Sequence, residues 1–127
     1  QTERVGPLLD GTLRVIEGRG YDAQGVLRFN AFGVLSYRPR EKRHAFHSYA
    51  MGFEGDHEVQ MQPDGFVWSV QAGPQARLRY ALRIVDGRWH EVGERLVEGQ
   101  PPQRIFEMTL ERIGPTQWPA GGFVPPR

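Results

Sequence analysis

The chain is 127 residues long, enough for one domain with a hydrophobic core, and 39% of it is hydrophobic and 24% charged. Its 16 Lys and Arg nearly cancel its 15 Asp and Glu, leaving +1, and basic residues are interspersed with acidic ones. The cationic excess of a nucleic-acid binder is therefore missing, the absence of cysteine excludes disulfides, thiolate metal sites and cysteine nucleophiles, and no apolar run reaches the roughly 18 residues of a membrane span.

The chain opens at Gln1 with neither a methionine nor a charged-then-apolar leader. Residues upstream of Gln1 are expected on that ground, and the compartment stays open between cytoplasm and periplasm. Turn chemistry then punctuates the sequence at Asp10-Gly11, Asp22 to Gly25, Arg38 to Lys42, Pro63-Asp64-Gly65, Gly73-Pro74, Asp86-Gly87 and Gly99 to Pro102. Gly tolerates positive φ, Pro presets φ near −65°, and Asp bonds its own local backbone, so each cluster reads as a turn.

Between the turns the residues alternate with the period of a strand. Leu13, Val15 and Glu17 alternate with Arg14, Ile16 and Gly18; Phe32, Val34 and Ser36 with Gly33, Leu35 and Tyr37; Ala45, His47 and Tyr49 with His44, Phe46 and Ser48. Phe66, Trp68 and Val70 mark one face of a short strand. Leu78, Tyr80, Leu82 and Ile84 oppose Arg77, Arg79 and Arg83 in the cleanest amphipath of the chain. Trp89 and Glu91 alternate with His90 and Val92, and Phe106, Met108 and Leu110 with Glu107, Thr109 and Glu111. No periodic stretch is long enough for a helix. The expected fold is all-β: an antiparallel up-and-down meander of about nine or ten strands over residues 1–113. Residues 114–127 form a Pro/Gly-rich tail, read either as a frayed extension or as an arm anchored by Trp118 and Phe123.

The order of motifs carries a resemblance. Leu9-Asp10-Gly11 leads to Ile16-Glu17-Gly18-Arg19-Gly20, then Ala31-Phe32-Gly33-Val34-Leu35-Ser36-Tyr37, Gly65-Phe66-Val67-Trp68, the run Asp86 to Glu94, and Phe106-Glu107-Met108-Thr109-Leu110. Residues 1–113 thereby resemble bacterial proteins of domain-of-unknown-function family 1579. That resemblance implies a small calycin-like barrel, related in shape to lipocalins and fatty-acid-binding proteins. It also implies that the first one or two strands are missing, because the Trp-x-Gly-Glu-Gly-like segment that opens such proteins has no counterpart and Gln1–Val5 resembles the end of a second strand. A half-barrel with an unpaired edge, open to pairing with a second copy, is the corresponding expectation. The resemblance implies no reaction.

His44 and His47, three apart in a strand, point to opposite faces and cannot share an ion. His57 follows Asp56 in a segment read as a turn, and His90 faces away from Trp89 and Glu91. No metal site and no cofactor is expected, a zinc site and, behind it, a haem held axially by His47 being the alternatives. Ser36, Ser48 and Ser69 lack a nucleophile elbow, and Gly18-Arg19-Gly20 precedes no helix that would bind phosphate. Glu17 and Glu91 share faces with apolar residues, where a carboxylate needs a partner or a raised pKa. Arg19 stands two residues from Glu17, so an internal ion pair and a polar ligand anchor remain open alternatives.

The aromatics Tyr37, Tyr49, Trp68, Tyr80 and Trp89 complete a candidate cavity with Glu17, Arg19, His47 and Glu91, core packing being the other reading. Three functions follow. The first is binding of a small, largely apolar or amphipathic molecule inside the barrel. The second is an enzyme on the same scaffold, an isomerase, cyclase or hydrolase using Glu or His proton transfer. The third is a self-associating protein pairing through an open sheet edge.

Overall fold

The computed structural model describes residues 1–116. Nine strands follow one another: β1 Thr2–Leu8, β2 Leu13–Tyr21, β3 Leu27–Arg38, β4 Arg43–Ala50, β5 Phe53–Gln62, β6 Gly65–Gln71, β7 Ala76–Val85, β8 Arg88–Val97 and β9 Gln103–Glu111. Each pairs antiparallel with the next, in the order β1 to β9 of a single sheet that curls into a nearly closed barrel. Among the described residues no backbone register joins β1 to β9, which leaves one seam between them. Trp118 and Phe123, the proposed anchors of the tail, lie outside the described residues.

The turns form as their residues dictate. Asp22 Oδ1 accepts the backbone N–H groups of Gln24 and Val26 at 3.0 and 2.9 Å, and Arg28 donates to its other oxygen at 2.7 Å. Asp86 and Gly87 hold φ of 51° and 72°, the paired positive values of the tight hairpin turn whose twist matches its strands. Met51 and Gly52 adopt the same conformation, at 52° and 85°, between β4 and β5. That turn carries no Asp or Pro, so it escaped the sequence reading, and with it the strand that follows. His57 therefore lies inside β5 and not in a turn. Strand β5 alternates Phe53, Gly55, His57, Val59 and Met61 with Glu54, Asp56, Glu58 and Gln60, a valid period-two pattern disguised by a glycine and a histidine on its apolar side. Thr2–Val5 likewise belongs to a strand, β1, paired with β2 from Thr2↔Arg19 to Leu8↔Leu13.

Curvature comes from register shifts at Gly20/Tyr21 and at Gly93/Glu94, since a bulge bends and twists the strand that carries it. Across the sheet the registers Gly33↔Ile16, Trp68↔Tyr80, Leu82↔Glu91 and Gly93↔Phe106 carry one continuous face through the strands, and this face turns inward. Its core members Phe46, Phe66, Leu82 and Met108 are buried. The outer face is polar over β7, where Arg79 bonds Glu94 and Arg83 reaches Asp64 at 2.7 Å. Such exposed cross-strand pairs contribute at most about 1 kcal/mol each, so the barrel rests mainly on its interior. Val15 and Ala45 are also buried, although their positions belong to the outer face of β2 and β4. No helix among the described residues is long and apolar enough to cross a membrane.

Candidate functional site

The inward face does not fill the barrel. A cavity of about 590 Å³ remains, within the range of small-molecule sites. Its walls are Ile16 and Gly18 of β2, Phe29, Ala31, Phe32 and Gly33 of β3, Phe46, Ser48 and Ala50 of β4, Phe66 and Trp68 of β6, and Tyr80 and Leu82 of β7. Trp89 and Glu91 of β8 line it as well. Gln1, Glu3 of β1, and Ile105 and Phe106 of β9 line it on the two sides of the seam.

An aromatic array runs round one wall. The rings of Trp68 and Tyr80 stack 4.5 Å apart at 18°, Phe46 meets Trp68 edge-on at 5.1 Å, and Phe106 meets Tyr80 at 6.3 Å. Pairs of this kind contribute about 0.5–1.5 kcal/mol each beyond the area they bury. They also hold the rings in fixed orientations around the open volume, which a ligand site requires.

Two carboxyl groups face this apolar space. Glu91 is 9% exposed. Its Oε2 accepts the indole N–H of Trp89 at 3.1 Å. Burial pushes the Glu91 carboxyl above the ordinary range, against the hydrogen bonds from Trp89 and Trp68. Glu3 is raised as well, first by burial; the hydrogen bond from Gln1 Nε2, 2.7 Å away, opposes this, and the charge of Glu91 adds to it. The Tyr80 phenol is pushed up by burial and by Glu91. A carboxyl held in this way both accepts and, when protonated, donates.

A second polar pair stands beside the array. Ser48 Oγ and His57 Nε2 are hydrogen-bonded at 2.6 Å, and the imidazole lies 5.2 Å from Trp68 and 6.0 Å from Phe46. Burial, aided by His47, holds the His57 pKa below its ordinary value. In the tautomer that leaves Nε2 unprotonated, the ring accepts the Ser48 hydroxyl proton.

The nine residues expected at the site divide sharply. Trp68, Tyr80, Trp89 and Glu91 line the cavity together. Glu17 and Arg19 lie on the outer face of β2, ion-paired to each other at 2.8 Å; Glu17 has the company of Val15, but on the convex side. His47 and Tyr49 lie on the outer face of β4, where His47 Nδ1 bonds Asp56 Oδ1 at 2.9 Å and its ring meets Tyr49 at 5.0 Å. Tyr37 sits on the inward face but near the end of β3, half-exposed against His44 and outside the cavity lining. Glu3, Ser48 and His57 were not anticipated. The signal for His57 and Ser48 was their apolar-face parity with Phe46 and Val59; for Glu3 it was the register of a strand read only as a remnant.

Among the described residues no group of three or more His, Asp or Glu is placed to hold a metal ion. Compared with protein-family models, with curated proteins and with solved structures, the chain gives no match.

Proposed function

We propose that the protein binds a small, largely apolar molecule inside the barrel, with Glu91 and Glu3 as its polar contacts. One observation carries this reading: the inward side chains of the barrel surround an open volume of about 590 Å³ and do not close over it. Burial of apolar ligand surface supplies the affinity, at about 25 cal/mol per Å². A few convergent polar groups orient the ligand. The order of motifs from Leu9-Asp10-Gly11 to Leu110 supports reading the chain as a calycin-like relative of family 1579, and the meander agrees in architecture.

The test is titration with the neutral dye N-phenyl-1-naphthylamine. Saturable one-to-one binding that quenches tryptophan emission is expected. Dye fluorescence that rises without saturation, or that is unchanged when Ala50→Trp fills the cavity of a folded variant, overturns the reading.

The Ser48–His57 hydrogen bond favours a second reading, a hydrolase or other proton-transfer enzyme that works at the same wall. A hydroxyl bonded to a neutral imidazole is the first half of an activated nucleophile. Incubation with a fluorophosphonate followed by intact-mass analysis tests it: a single adduct lost in Ser48→Ala supports catalysis, and an unmodified chain removes it.

A further inference from the structure

We infer that the cavity selects an organic cation, an apolar amine or quaternary ammonium, over neutral and anionic molecules of the same size; the inference rests on the cavity being a ligand site. Its charge is the ground. Glu3 of β1 and Glu91 of β8 both face the space, and its lining among the described residues holds no lysine, arginine or histidine side chain. An anionic amphiphile would bring its charge beside these carboxyl groups, with no lysine, arginine or histidine side chain among the described lining residues to receive it, in a setting of low dielectric where like charges repel strongly. A neutral ligand would leave the carboxyl groups with the partners they already have. A cation alone improves on that arrangement.

Two interactions act on it together. The positive charge pairs with the carboxylate of Glu91, so that charge in the cavity balances. The ligand also lies beside the Trp68–Tyr80 pair, which lines the same cavity, and cation–π attraction to an aromatic ring strengthens where the cation is desolvated. Burial makes an unpaired Glu91 carboxylate unfavourable, and an entering cation removes that cost. The apolar remainder of the ligand occupies the space along Phe46 and Phe66.

The experiment compares three ligands with one ten-carbon chain, decyltrimethylammonium, decanol and decanoate, below their micelle concentrations. Each displaces N-phenyl-1-naphthylamine from the full chain. The ammonium is expected to bind about tenfold more tightly than decanol, and decanoate more weakly than either. In Glu91→Gln, and more completely in Glu3→Gln/Glu91→Gln, the ratio of ammonium to decanol affinity falls towards one. Equal displacement by ammonium and decanol, or a preference for decanoate, overturns the inference and leaves the binding reading standing. A preference that survives the double substitution also overturns it. Failure of all three ligands and of the dye overturns both. The wild-type ratios test the preference for the cation without any variant, so a double substitution that fails to fold leaves that comparison intact.

Discussion

Gly93 on β8 lies directly across from Tyr80 on β7, and the phenol ring occupies the space that a side chain on Gly93 would fill. A Cβ there would stand 2.8 Å from Tyr80 Cε1 and 3.0 Å from Phe106 Cβ, closer than real contacts allow. The glycine thus sets the position of the ring that stacks on Trp68. Gly93→Ala is expected to push Tyr80 off the strand and cost about 1–3 kcal/mol. Urea unfolding measures the loss. Near-UV circular dichroism should lose the signal of the coupled Trp68–Tyr80 pair, and an unchanged spectrum would place the ring elsewhere.

Glu91 makes a prediction about pH. Burial raises its folded-state pKa above the ordinary 4.5. The stability it contributes is therefore complete below about pH 4.5 and is lost as pH rises through the raised value. Glu91→Gln keeps an acceptor for Trp89 and cannot ionise. It is expected to be more stable than the wild type near pH 8 by roughly 1 kcal/mol, the scale of one buried polar group, with the advantage vanishing towards pH 4. Thermal melts across that range check it. An advantage independent of pH would mean that charge is not the cause.

His57 behaves in the opposite sense. Its pKa is lowered, chiefly by burial, so the stability linked to its neutral form is present above about pH 6.5 and is lost as pH falls through the lowered value. Its ring lies 5.2 Å from Trp68, close enough for an imidazolium to quench indole emission. Tryptophan fluorescence should fall with a midpoint below 6.5, and this step should be missing from His57→Gln. A midpoint above 6.5 would contradict the burial of the ring.

On the outer face, the hydrogen bond to Asp56 raises the His47 pKa and lowers that of Asp56. The support His47 gives is full below about pH 6.5 and lost as pH rises through its raised value. That of Asp56 is present above about 3.8 and lost as pH falls through its lowered value. The pair therefore acts between those two limits. Histidine Cε1–H shifts followed by NMR should show His47 titrating above 6.5 and moving down in Asp56→Asn. No downward movement would assign the shift to another partner.

Much of the barrel was legible because turn chemistry and strand period are local. Asp22, Asp86 and Gly87 shape their turns through their own backbone, and β7 shows its faces by setting Leu78, Tyr80 and Leu82 against three arginines. Where local signals were faint, the reading thinned. Met51-Gly52 turns the chain without Asp or Pro, and β5 hides its inward face behind Gly55 and His57.

The sequence by itself determined the class of fold, the hairpin order and the two-faced character of each strand, since these follow from residue period and turn preference. Only the tertiary structure decided which face turns inward. In β2 and β4 both faces carry apolar residues, Val15 against Ile16 and Ala45 against Phe46, so alternation alone is symmetric there. Pairing breaks that symmetry: registers propagated from strand to strand carry Ile16, Gly33 and Phe46 to the inside and Glu17, His47 and Tyr49 to the outside. The same propagation brings Glu3 of β1 and Glu91 of β8, far apart in sequence, to one cavity, a meeting of residues that no local signal encodes.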